Sequence, residues 1–235
     1  MDILLQAVKA VQRNAPALGL YLLFTVPVSA LVLAGNMWMG DTNPDAPVSA
    51  AMLAYEVAGD AFLIVAYAFA QSIAFSRMGR LLDRPLWKCP GDGEALKRYF
   101  PLWVLLNIVA FGSQRLVTWV PALMDNEAAA APMFWIMAIV VAVYLPFGAA
   151  IMFAGRPRWR ELGEALGPLG RQWPKALSVC FFSGITYMLL TILIIWQPES
   201  QRWLLPVLDV IAGYFDCLIF CATWLICMFD RQTPQ

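Results

Sequence analysis

Six apolar runs, each about the length of a bilayer's hydrocarbon core, constrain this chain more than any other feature. A core roughly 30 Å thick takes about 20 residues of helix. No water is present there to satisfy free backbone groups, so runs of this kind can only be helices. We place spans at about 18–39, 48–76, 100–124, 132–154, 175–197 and 203–229. The chain is 61% hydrophobic and 14% charged, with a mean hydropathy of +0.66. Soluble domains carry about 25% charged residues. The expected fold class is an all-α, polytopic membrane protein with six transmembrane helices, forming one transmembrane domain over residues 1–235. Pro27, Pro121, Pro146 and Pro206 fall inside spans or near their ends, where proline kinks a helix.

The basic residues give a direction. Of the 16 lysines and arginines, only Arg115 and Arg202 lie outside the N-terminal segment, the second-to-third loop, the fourth-to-fifth loop and the C-terminus. The remaining loops carry Asp41, Asp45, Asp125, Glu127 and Glu199. By the positive-inside rule both termini are cytoplasmic, and the expected location is a bacterial inner membrane. Lys9 and Arg13 precede the first apolar run, and Val32-Leu33-Ala34 imitates a cleavage site. With Met1 at the start, that run is expected to be kept as the first span. The basic loops are expected to lie against anionic lipid. In the fourth-to-fifth loop, Trp159, Leu162, Leu166, Leu169 and Trp173 recur at helical spacing, which predicts a surface helix interrupted near Pro168.

Those two basic loops resemble one another. Each leaves its helix through Gly-Arg, passes a tryptophan and a basic residue, reaches Gly-Glu-Ala-Leu, and enters the next helix near a proline. Glu94 and Glu164 correspond, and Phe229-Asp230-Arg231 echoes Phe75-Ser76-Arg77. The pattern predicts repeated helical hairpins in parallel orientation. With its six spans, acidic outer loops and two basic loops leading through Ala-Leu and Pro into a helix, the layout resembles the YciC-like and glycerophosphodiesterase-membrane-domain-like bacterial inner-membrane proteins. That resemblance implies architecture and carries no catalytic motif.

Glu56, Asp60, Arg115, Asp209 and Asp216 stand inside the spans. Each costs roughly 2.5–3.5 kcal/mol at a helix centre, so five facing lipid would cost on the order of 12–17 kcal/mol. They must face one another, a cavity or a partner. Glu56 and Asp60, four apart, share a face of span two; Asp209 and Asp216, seven apart, share a face of span six. All five lie at similar depths, roughly 9–20 Å from the outer span ends, so neighbouring spans would gather them into one cluster around Arg115. Ala58-Gly59 and Ala212-Gly213 beside the acids would let spans two and six approach closely. Asn107, Gln71, Gln114, Ser113 and Thr118 supply further polar groups. Carboxyls without the guanidinium are expected to be protonated, to hold a cation or to face water.

The expected function is a component of solute or ion translocation, ion- or proton-coupled, working through that cluster. The alternative is a non-catalytic structural or assembly subunit of a larger membrane complex. In either case a homo-oligomer or other membrane subunits are the expected partners. A further alternative is an intramembrane aspartyl protease using Asp60 and Asp216. Against it, Val57 stands where such enzymes have the first glycine of Gly-x-Gly-Asp, and Asp216 is not preceded directly by tyrosine. Glu164-Ala165-Leu166 with Gly170 partly matches the coupling loop of ABC importers but lacks its ending. No histidine is present, which removes His-ligated metals and haem; no cofactor, metal site or nucleic-acid partner is expected. Cys217 and Cys221 share a face and read as small core residues. Tryptophans 38, 87, 103, 119, 159, 173, 196 and 203 read as an interfacial belt.

Overall fold

The computed structural model describes residues 2–40, 50–82, 91–124, 126–155, 162–195 and 204–232, and among them the regular structure is entirely helical. The helices are α1 (Asp2–Arg13), α2 (Ala15–Gly40), α3 (Ala50–Leu82), α4 (Asp92–Met124), α5 (Ala130–Ala154), α6 (Leu162–Arg171), α7 (Trp173–Ile195) and α8 (Leu205–Gln232), with a 3-10 turn at Glu127–Ala129. Six of them, α2, α3, α4, α5, α7 and α8, are long and apolar enough to cross a membrane. They coincide with the six expected spans.

The long helices form a closed ring. Each packs on its sequence neighbour, and α8 closes onto α2. Helices α3, α5 and α8 run back towards the end that carries α1 and α6, and α8 also touches both α3 and α5. Their meeting point is an aromatic core. Phe75 stacks on Phe220 at 4.3 Å between centroids, Phe75 meets Trp103 edge-on at 5.3 Å, and Phe153 meets Trp224 at 5.0 Å. Trp103 is fully buried, which corrects its assignment to the interfacial belt. Gly148 on α5 leaves the room: a Cβ there would sit 2.4 Å from the Trp103 ring and 2.9 Å from Leu106. We therefore expect Gly148→Ala to cost about 1–3 kcal/mol by overpacking. Combining it with Trp103→Phe should recover part of the loss in detergent thermal unfolding.

Helix α4 begins eight residues earlier than expected, at Asp92. Its first turn carries Asp92 and Glu94, which complement the helix dipole. Asp92 also bridges back to α3: Arg77 donates to it from Nε at 3.0 Å, and Arg80 pairs with its other oxygen. These bonds prolong α3 to Leu82. At the same end, α5 stops at Gly155, whose φ of 73° favours glycine and whose N–H returns to Met152 at 2.9 Å.

The short helices complete the pattern. Helix α1, not foreseen as a separate element, buries Ala7 and Val11 and packs on α8. Helix α6 turns Ala165, Leu166 and Leu169 towards the core. It continues through Pro168, which forfeits one intrahelical bond, and Trp173 belongs to α7 and is exposed. Asp41, Asp45, Asp125, Glu199, Arg202, Trp87, Cys89, Trp159, Trp196, Trp203 and the middle of both basic loops lie outside the described residues.

The resemblance read between the two basic loops extends to a third segment. Arg13-x-x-Pro16, Arg98-x-x-Pro101 and Arg171-x-x-Pro174 mark the same place in three units. In each, a short amphipathic segment (α1, the first turns of α4, or α6) leads through Arg-x-x-Pro into an outgoing helix, followed by a returning one. Glu94 and Glu164 are both third residues of their helices, consistent with the correspondence read between the loops.

Candidate functional site

The five charges inside the candidate spans separate into two sites. The first joins α3 to α4. The guanidinium of Arg115 donates to both oxygens of Asp60, from Nε at 2.7 Å and from Nη2 at 2.8 Å, and its Nη1 lies 3.7 Å from Glu56 Oε2. Two parallel N–H···O bonds to a carboxylate are the strongest arrangement an arginine can make. The four-residue spacing of Glu56 and Asp60 places both on the face that α4 meets. The triad is not enclosed: Arg115 is 32% exposed, Glu56 27% and Asp60 20%. Exposed Val57, Leu116 and Trp119 surround it on the flank of the bundle.

The second site is sealed. Asp216 on α8 is 2% exposed. Tyr21 of α2 donates its hydroxyl to Oδ2 at 2.5 Å, and Tyr187 of α7 donates to Oδ1. The Tyr187 oxygen also lies 3.0 Å from the Tyr144 hydroxyl of α5. Four helices thus converge on one carboxyl. Asp209, two turns away on α8, neighbours Ser29 of α2, whose Oγ lies 3.5 Å from the Tyr67 hydroxyl. A cavity of about 20 Å³, the space of a single water, adjoins Tyr187 and is lined by Gln114, Val141, Gly184 and Thr191.

Depth and azimuth both keep Asp216 away from Arg115, which corrects the expectation of one cluster gathering all five charges. Because Phe75 stacks on Phe220, Asp216 lies level with Gln71, one turn before Phe75. Asp60 is eleven residues earlier on α3, about 16 Å at 1.5 Å per residue. In azimuth, α2 fills the space that spans two and six were expected to share. Val32 of α2 packs on Gly59, at 3.1 Å from a Cβ built there, while Leu22 and Tyr21 of α2 pack on Gly213. The small residues beside the acids therefore receive α2, while α3 meets α8 at Phe75–Phe220, Met78–Cys221 and Gly79–Trp224. The same separation keeps Asp60 and Asp216 from forming the pair a protease needs.

The remaining polar residues divide as well. Asn107 donates to Gln71 Oε1 at 2.8 Å inside the bundle, and Gln71 Nε2 is buried with no partner among the described residues. Ser113 bonds its own helix at Ala110 O, 2.7 Å away. The Thr118 side chain lies outside what is described. Cys217 and Cys221 are buried, and Cys221 contacts the Met78 sulfur at 3.9 Å. Among the described residues no three His, Cys, Asp or Glu side chains converge as metal ligands.

The hydroxyls around Asp216 were missed in the sequence. The available signal was position: Tyr67, Tyr144 and Tyr187 stand in mid-span rather than at span ends, where an amphipathic ring normally sits. A buried phenol needs a partner, and an acid in a facing span is an obvious one. No family model, no curated protein and no solved structure matches the chain.

Proposed function

We propose that the chain is a multi-pass protein of a bacterial inner membrane, with both termini cytoplasmic, and that it serves as a non-catalytic subunit of a larger membrane assembly. The positive-inside distribution supports the orientation. One observation carries the assembly reading: a charged triad, about a third of its arginine exposed, on the flank of an otherwise apolar bundle. Facing hydrocarbon, such a group costs several kcal/mol. A membrane-embedded partner bringing polar atoms to that flank removes the cost, and Val57, Leu116 and Trp119 would form the apolar rim of the contact. The sealed Asp216 fits the same role, as a polar pin holding α2, α5, α7 and α8 in one arrangement.

A photocrosslinking amino acid placed at Val57 tests this in intact membranes. The expected outcome is a discrete protein adduct that disappears in Arg115→Leu. Labelling of lipid alone would refute the assembly role.

A second reading, proton-coupled solute or ion translocation, is favoured by the hydroxyl chain Tyr144–Tyr187–Asp216–Tyr21 beside a water-sized cavity. Hydroxyls in series with a carboxyl can pass a proton once water reaches one end. In proteoliposomes that reading requires proton flux under an imposed pH gradient, lost in Asp216→Asn while the amount of assembled protein is unchanged. The assembly reading expects no flux from either form.

A further inference from the structure

At the end of the bundle that carries α1, a groove of about 600 Å³ opens between α1, α3 and α8. That volume falls within the roughly 300–1,000 Å³ of small-molecule sites. One wall is polar, formed by Gln6, Lys9 and Arg13 of α1; the other is apolar, formed by Leu81, Leu82 and Leu225. The polar wall is held in place, because Ala7 and Val11 on the opposite face of α1 are fully buried.

The charges on that wall lack the partners their counterparts have. In the second unit, the arginine of Arg-x-x-Pro is neutralised by the residue four before it: Arg98 bonds Glu94 at 2.7 Å. In the third, Arg171 bonds Asp230 at 2.6 Å. In the first unit the residue four before Arg13 is Lys9, a cation where the second unit has an acid. Like charges one helical turn apart repel. Among the described residues no carboxylate pairs with either Lys9 or Arg13. Where the other units have an acid, this one has two cations and a groove with an apolar wall.

We propose that this groove is a binding site for an anionic phospholipid, with its phosphate held between Lys9 and Arg13 and an acyl chain lying along Leu81, Leu82 and Leu225. A phosphate oxygen accepts charge-assisted hydrogen bonds from both cations, which removes their mutual repulsion. Gln6 adds a donor at the rim. The inference rests on the reading that the long helices cross a bilayer, and extraction of the protein from membranes only by detergent checks that reading separately.

The test is native mass spectrometry of the full-length protein in detergent, titrated with phosphatidylglycerol, phosphatidylcholine or inorganic phosphate. Wild type should retain phosphatidylglycerol in preference to phosphatidylcholine. The double variant Lys9→Gln/Arg13→Gln should weaken phosphatidylglycerol binding about tenfold, given two charge contacts. Lys97→Gln, which removes an exposed cation elsewhere at the same end, should leave binding unchanged. The charge-preserving exchange Lys9→Arg/Arg13→Lys should keep it, which separates loss of the site from loss of fold. Equal binding of phosphatidylcholine, or an equal loss in Lys97→Gln, would overturn the proposal. So would displacement of the lipid by millimolar inorganic phosphate alone, which would make this a soluble-anion site.

Discussion

Arg115→Leu should destabilise the protein by about 3 kcal/mol, near the lower end of the cost of leaving buried carboxylates without their cation, because these two are half-buried. Asp60 would lose both of its hydrogen bonds and Glu56 its nearest charge, in a setting where water replaces neither well. The sign of the effect reverses when the whole group is removed. The triple variant Glu56→Leu/Asp60→Leu/Arg115→Leu leaves no orphaned charge and should unfold close to wild type, because replacing a complete ion pair by apolar groups is near neutral or stabilising. Unfolding in mixed micelles, followed by tryptophan fluorescence, checks both. The triple variant should also lose the crosslink at position 57 while remaining folded, which separates the contact's role in assembly from its role in stability. A fully stable Arg115→Leu single variant would mean that the carboxylates are already solvated.

Asp216→Leu is the second large effect. Tyr21 and Tyr187 both donate to this carboxyl, and an apolar side chain would strand the Tyr21 hydroxyl and leave Tyr187 only the Tyr144 oxygen. At about 1–3 kcal/mol for an unsatisfied buried group, the loss should be at least about 1–3 kcal/mol from Tyr21, with a smaller part from Tyr187. Asp216→Asn keeps one acceptor oxygen, so one tyrosine stays bonded while the other must turn its oxygen to the amide. Its cost should be clearly smaller. The same unfolding assay should rank wild type above Asn and Asn above Leu. Equal losses would show that volume rather than hydrogen bonding governs the site.

The axial layout of this protein is legible in its sequence, whereas the arrangement around each axis is not. Hydropathy marks the six long helices because each is a long and nearly unbroken apolar run, and the four-residue spacing of Glu56 and Asp60 correctly places them on one face. Neighbour order is hidden because helices such as α5, apolar all round, have no polar face to show which side is inside. The small residues Gly59 and Gly213 announced close approach, but a glycine does not name the helix that approaches; both received α2. Trp103 was read by its place near a span end, and only Gly148, some 45 positions away, explains its burial. Helix α1 did carry a signal, Leu4, Ala7, Val8 and Val11 at helical spacing, overshadowed by the apolar run after Asn14. The threefold Arg-x-x-Pro repeat is visible in the sequence once the short helices preceding each proline are known.

Arg115 and Asp216 belong to separate sites, and a pair of double-mutant cycles measures that directly. With Arg115→Leu as the common change, its coupling to Asp60→Leu should exceed about 1 kcal/mol, as for residues in contact. Its coupling to Asp216→Leu should stay within about 0.5 kcal/mol, as for separate sites. Strong coupling between Arg115 and Asp216 would contradict the account and restore a single cluster.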